Sequence, residues 1–447
     1  MKRSILNAFI GLFALAVFHP STSVMAQVTE NVSVSNIVDV AEVERILNTL
    51  ASDEMEGRAS FSRGIEKAAQ FIAVEYAKIG LEEFGTTDYR QTFYVSRISP
   101  GDSEVTLNGQ HIASENIIVA STNPRVTWDQ NSQVEILHIK EGEEFATRYR
   151  AITNSGKNAL VLVDPSFTSL FTRYKGFTSR SRVSQASAHT SQDAPSTVFI
   201  LSDSATPQTF QVSFTNEIED LPLSNMIGMI PGRSKADEYV IFSAHYDHIG
   251  ILPAVGQDSI ANGADDDASG VSAVISLAQY YKKRNDNERT LLFVAFTAEE
   301  IGLIGSQYFS SQLNPDQVTA MINIEMIGKD SRFGPNALYV TGFDQSNLAN
   351  IMQENVRNTE FAFHPDPYPT QNLFYRSDNA TLAAAGVPAH SFSTVQIEKD
   401  QYYHTVGDEV STLNIENIVS SIQAIAIGAQ SIVAGKDTPN RVAKLAR

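Results

Sequence analysis

Apolar positions recur at helical spacing over residues 39–50, where Val40, Val43, Ile46, Leu47 and Leu50 share one face. A loop rich in charge and glycine follows, over 52–64. A second helix is predicted over 65–79, with Ala68, Phe71, Ile72, Val74 and Tyr76 on a broad apolar face and Gly80 as its stop. Residues 91–98 read as a strand. From 100 to about 223 the pattern changes to short runs rich in Val, Ile and Thr, at 105–107, 117–120, 134–138, 159–163, 197–201 and 210–214. Clusters of Ser, Thr, Gly and Asn separate these runs, which predicts a mostly β insertion. The Ser/Thr/Gln-rich patch 179–196 reads as a loop.

From Met226 onward, apolar strand runs alternate with helical periods. Strands are predicted at 226–230, 239–244, 291–297, 320–325, 337–341 and 389–393. Helices are predicted at 268–282, 304–312, 345–356, 378–385 and 414–433. Such alternation predicts an α/β fold: a mostly parallel central sheet flanked by helices on both faces, with an inserted β-rich domain. The expected division is a catalytic domain from 27–99 and 224–435, the insertion at 100–223, and a frayed polar tail at 436–447.

The first residues stand apart from this pattern. Lys2 and Arg3 precede an apolar run from Ile5 to Phe18, and Val24-Met25-Ala26 forms a small-residue cleavage site before Gln27. Residues 1–26 are therefore expected to be a secretory signal peptide; the run falls short of the ~20 residues that span a bilayer. No later run is long and apolar enough to cross one. The expected location is a periplasm or the outside of the cell. Removing Lys2 and Arg3 with the leader takes the balance of 33 basic and 51 acidic residues from net −18 to net −20. That balance argues against nucleic-acid binding, which needs a basic footprint. The chain has no Cys, so disulfides and metal-binding thiolates are excluded.

Candidate chemistry gathers where an α/β sheet places it, after the C-terminal ends of strands. One predicted strand runs into His245-Tyr246-Asp247, another into Glu299-Glu300 and a third into Glu325. Asp266 heads a helix, where its charge meets the positive end of the dipole, and His404 lies on a late loop. Two imidazoles, several carboxylates and no thiol form an N/O donor set that suits zinc, with other divalent ions left open. Five ligands and a spare carboxylate suit two ions that share a bridging carboxylate. Each piece alone has an ordinary reading as a cap, a solvated turn or a surface histidine. Their joint occurrence at strand ends argues for a site.

These residues also carry a resemblance. His245-Tyr-Asp247, Gly263-Ala-Asp265-Asp266-Asp267-Ala-Ser-Gly270, Ala298-Glu299-Glu300-Ile-Gly302 with Gly305-Ser306, Asn323-Ile-Glu325-Met-Ile-Gly328, Ser377-Asp378 and Tyr403-His404-Thr405 resemble the motif series of the co-catalytic zinc aminopeptidase family. The likeness spans about 226–430. It extends to a lead-in that ends in Glu56-Gly57-Arg58. The insertion is loosely similar to the family's protease-associated insert through 158–164.

The resemblance implies two Zn2+ per chain and peptide substrates. Asp266 would bridge the ions, Glu300 and His404 would complete one, and His245 and Glu325 the other. Glu299 would be the general base and Asp247 would orient the His245 ring. Asp265 and Asp267 would shape the turn. His248, His364 and His390 are read as structural or surface residues. Three departures stand out: Glu325 where the family usually has Asp, Asn379 where it often has His, and Tyr375 as the candidate for stabilising the tetrahedral intermediate. The implied function is an exported metallo-aminopeptidase. The alternatives are a carboxypeptidase or dipeptidase on the same scaffold, or a non-catalytic binding protein of the same fold. Oligomeric state is left open.

Overall fold

The computed structural model describes Met1 and residues 38–85, 87–184 and 194–445. Apart from Met1 the expected leader lies outside the described residues, as does 185–193 of the Ser/Thr/Gln-rich patch. No helix among the described residues is long and apolar enough to cross a membrane.

Strand Lys235–His245 forms the middle of the large sheet. It runs parallel to Arg289–Phe296 on one side and to Val318–Ile324 on the other. Val318–Ile324 is also parallel to Ala389–Ser393. Ala337–Val340 joins Ala389–Ser393 antiparallel and pairs in parallel with Ala362–Pro365 at that edge. Along the central strand, Val240, Phe242 and Ala244 enter one core while Ile241 enters the other. Both faces are covered, so the strand reads as a continuous apolar run rather than an alternation.

Helices Val40–Leu50, Arg63–Ile79, Gly270–Arg284, Leu348–Val356 and Ile415–Gly428 cover the first face. Ile304–Gln312 and Asn379–Ala384 cover the second. The helix starts follow the sequence: Asp39 accepts the Glu42 amide at 2.8 Å, and Ser62 accepts the Ile65 amide at 3.2 Å. Arg63–Ile79 ends at Gly80 in the left-handed region.

The insertion has its own four-stranded sheet, in the order Ile117–Ala120, Thr197–Leu201, Ala159–Val163, Glu135–Ile139. It also holds two helices that the pattern did not predict, Phe145–Thr153 and Thr168–Thr178. The first buries only Phe145 and Ile152, and the second only Phe171, too few to write a helical stripe into the sequence.

Two strands are far longer than expected. The runs predicted at 91–98 and 105–107 belong to one strand, Arg90–Leu107, and those at 210–214 and 226–230 to another, Phe210–Ile230. The two pair antiparallel along most of their length, with a bulge between Phe214 and Asn216. Polar, exposed residues such as Glu217 and Glu219 interrupt the apolar pattern while the backbone ladder continues.

The tail is not frayed over its described residues. The buried Arg289 guanidinium donates to the carbonyls of Ile432 and Asp437, both at 2.6 Å, and Val442 is buried in the second core. The Leu445 amide donates to the Ala384 carbonyl. A polar sequence hid an anchoring that depends on backbone bonds and one apolar side chain.

Candidate metal centre

The central strands deliver their C-terminal residues to one crevice. His245 ends its strand, Glu299 and Glu300 follow Arg289–Phe296, and Glu325 follows Val318–Ile324. Asp266 lies in the turn that opens helix Gly270–Arg284, and the peptide between Asp266 and Asp267 is cis. Gly263 starts this turn at φ 58°, and a Cβ there would lie 2.6 Å from the His248 ring. Only glycine fits both demands.

The other aspartates of the turn hold backbone. Asp267 accepts the amides of Gly270 and Met326, both at 3.1 Å, and Asp265 accepts that of Gly328 at 2.7 Å. Asp408 accepts the amides of Asp265 and Asp266 at 3.0 Å. Arg58, fully buried, clamps the same region. It donates to the carbonyls of Leu50 and Asn262 at 2.6 Å and to those of Tyr246 and Gly263 at 2.9 Å.

The candidate ligands converge on the two oxygens of Asp266. His245 Nε2 lies 3.1 Å from Oδ1 and 3.2 Å from Glu325 Oε1. His404 Nε2 lies 3.3 Å from Oδ2 and 3.0 Å from Glu300 Oε2. Glu325 accepts from Ser377 Oγ and lies 3.4 Å from Asn323 Nδ2. The His245 ring is oriented by a 3.0 Å hydrogen bond from Nδ1 to the main-chain carbonyl of Asp247. The Asp247 carboxylate lies 3.8 Å from that nitrogen and instead accepts the Glu299 and Glu300 amides at 3.0 and 3.3 Å.

Charge is concentrated here. Burial alone would lower the His245 pKa, but Glu325, Glu299 and Asp266 hold it well above the usual value. The carboxylates of Asp266 and Glu300 beside its ring push His404 up to about 10. Burial would raise Asp266, yet the adjacent rings of His245 and His404 hold it below the usual carboxylate range. Glu299 moves the other way: burial, with the nearby charges of Glu325, Asp378 and Asp247, raises it well above that range. Its carboxylate makes no hydrogen bond or ion pair to any described residue.

The donor set fits divalent metal. Donor atoms of His245, Asp266 and Glu325, and of His248, Asp266 and Glu300, gather within 4.8 Å of one another. Asp266 Oδ2 and His404 Nε2 are buried and close, yet neither makes a well-formed hydrogen bond. Buried donors that crowd without pairing are the mark of ligands facing a shared cation.

A cavity of about 410 Å³ opens against this cluster. Asp266, Glu299, Glu300 and Glu325 line one wall, and Met326, Tyr339, Leu373, Val395 and Ile397 give it an apolar side. Tyr375 is not among its lining residues; it packs with the second core, its ring 4.7 Å from that of Phe374. Tyr403 does line the cavity, stacked on His404.

The sequence reading missed three residues. His248, read as structural or surface, is buried and donates from Nδ1 to Glu300 Oε1 at 2.8 Å. Its signal was its place three residues beyond His245, just past the end of that strand. Asp408 follows His404 by four residues, and Arg58 closes the quoted lead-in. Both act on backbone groups, which no spacing rule displays. His390, between Ser346 Oγ and the Thr341 carbonyl, is structural, and His364 stacks on Phe333.

Paired histidine–carboxylate clusters at the ends of parallel strands are an arrangement that two-metal hydrolases use. Residues 225–427 match the model of Peptidase family M28. The chain is 25% identical over 240 residues to aminopeptidase YwaD of Bacillus subtilis, covering 52% of this chain and 49% of that protein. It is 29% identical over 214 residues to leucine aminopeptidase 1 of Sclerotinia sclerotiorum, covering 44% of this chain and 52% of that one. The chain thus spans about half the length of these curated relatives. The fold is that of the aminopeptidase from Aneurinibacillus sp. strain AM-1, with a TM-score of 0.53 at 16% identity, covering 92% of this chain and 97% of that one. BSAP, a zinc aminopeptidase from Bacillus subtilis, gives a TM-score of 0.52 at 17% identity, covering 90% and 97%.

Proposed function

We propose that the chain is an exported metallo-exopeptidase that removes N-terminal residues from peptides, with two zinc ions held by clusters that share Asp266. The observation that carries this reading is the convergence of His245 and His404 on opposite oxygens of one buried carboxylate, beside an uncommitted Glu299. His245 and Glu325 would hold one ion, Glu300 and His404 the other. Bound there, zinc supplies Lewis-acid polarisation of the scissile carbonyl and acidifies water.

The chain's own groups do the rest. Glu299, with its raised proton affinity and free oxygens, takes a proton from the attacking water and returns it to the departing amine. Tyr403 rather than Tyr375 is placed to donate to the developing oxyanion, because it lines the cavity. The carboxylates of Glu299, Glu325 and Asp400 around the cavity favour a substrate's free ammonium group. The apolar wall receives the N-terminal side chain. The names of the aminopeptidase relatives support the same direction of cleavage.

One observation favours a second reading. Arg376 lines the cavity and its guanidinium pairs with no described carboxylate, so it could receive a terminal carboxylate, as a carboxypeptidase requires. Peptides blocked at one end separate the two. The aminopeptidase reading expects cleavage of C-amidated and no cleavage of N-acetylated peptides; the reverse would overturn it. Glu299→Gln should lose about 10²–10⁴-fold in kcat while keeping its zinc. Full activity in that variant would refute the base.

A further inference from the structure

We infer that His248 is a positioning residue for Glu300, fixing which carboxylate oxygen faces the shared metal site. This rests on the two-zinc reading above. Glu300 divides its oxygens between two rings: Oε1 receives the Nδ1–H of His248 at 2.8 Å, and Oε2 lies 3.0 Å from His404 Nε2. A carboxylate can only accept, so the His248 nitrogen on it carries the proton. A protonated Nδ1 is not a metal ligand, and it lies 3.7 Å from Asp266 Oδ2. His248 therefore acts through Glu300 and leaves Oε2 turned toward His404 and Asp266.

The ring is itself held in place. It is buried, and the Gly263 turn closes against it so tightly that a Cβ there would sit 2.6 Å from the ring. The His248 amide donates to the Arg58 carbonyl at 3.2 Å, tying its backbone to the same clamp that holds the Asp266 turn. The ring centroid lies 5.7 Å from that of His404. Groups that orient a metal-binding carboxylate in this way typically change metal affinity by about 10–100-fold.

The test is competitive zinc titration of the full chain against a chelator of known affinity. The unaltered protein should bind two ions. His248→Ala should bind one of them about 10–100-fold more weakly and the other unchanged. His248→Asn should recover most of the loss, because its Nδ2–H can occupy the place of Nδ1–H. His248→Gln, whose amide reaches the wrong distance, should not. Wild-type zinc affinity in His248→Ala would overturn the inference, as would an Asn variant as weak as the Ala variant. If His248→Ala does not fold, the Asn and Gln pair carries the test. Fewer than two ions in the unaltered chain would refute the two-zinc reading itself.

Discussion

Replacing Arg58 by Met should both destabilise the protein and loosen the metal site. The guanidinium is fully buried and ends four main-chain carbonyls, two of which, those of Asn262 and Gly263, belong to the Asp266 turn. Met has similar length and no donor, so the carbonyls of Leu50, Tyr246 and Asn262 lose their partner, while that of Gly263 keeps the Ala268 amide at 3.2 Å. An unsatisfied buried acceptor costs about 1–3 kcal/mol, which makes about 3 kcal/mol the lower end of the sum. Releasing a buried cation returns part of this, since Arg58 resists burial of its charge. The cation also faces Asp408, Asp266, Asp247 and Asp267, whose mutual repulsion it offsets. The net expectation is a loss of about 3–5 kcal/mol, as for other broken buried charge networks. Equilibrium urea unfolding in excess chelator measures it without the stabilisation that bound metal adds. Arg58→Lys should recover little, because one ammonium cannot serve four carbonyls in a fork. A Met variant within about 1 kcal/mol of the parent would refute the clamp.

Two further outcomes follow. Burial lowers the His390 pKa to about 4, so below pH 6.5 the unfolded chain binds a proton that the folded chain refuses. The contribution of His390 to stability should then fall as pH drops from about 6.5 to 4, by on the order of 3 kcal/mol at about 1.4 kcal/mol per pH unit. Urea midpoints in His390→Asn should lose most of that slope, and an unchanged slope would refute it. Val395→Phe, on the apolar side of the cavity, should lower kcat/KM for leucine p-nitroanilide at least about tenfold relative to the alanine substrate, since each methylene misfit is worth roughly 1–3 kcal/mol. An unchanged ratio would move the side-chain pocket elsewhere.

Much of the core was legible in the sequence because buried parallel strands and amphipathic helices write their burial into side-chain pattern. The run through Val240, Ile241 and Phe242 and the helical stripe of Val43, Ile46, Leu47 and Leu50 are cases in point. The candidate ligands were legible for a different reason: strand ends and helix heads are fixed points of the fold. Arg58, Asp408 and the docked tail were not, because each works through main-chain carbonyls or amides. Such a partner leaves no trace in residue type or spacing. His248 escaped because a histidine that holds a carboxylate is spelled like any other.

The two long strands also decide what the insertion is mechanically. Arg90–Leu107 and Phe210–Ile230 run unbroken from the sheet beside Glu299 into the core around Trp128, so the two regions share a beam rather than a string. Its single joint is the bulge at Phe214 and Asn216, opposite Pro100 and Ser103. Grafting or removing the insertion by cutting at 100 and 223 would sever one strand at its joint and the other seven residues past Asn216. That would strand a length of unpaired backbone against the large sheet. Cuts at Pro100 and Asn216 leave the ladder matched on both sides, and they mark where this protein can be taken apart into pieces.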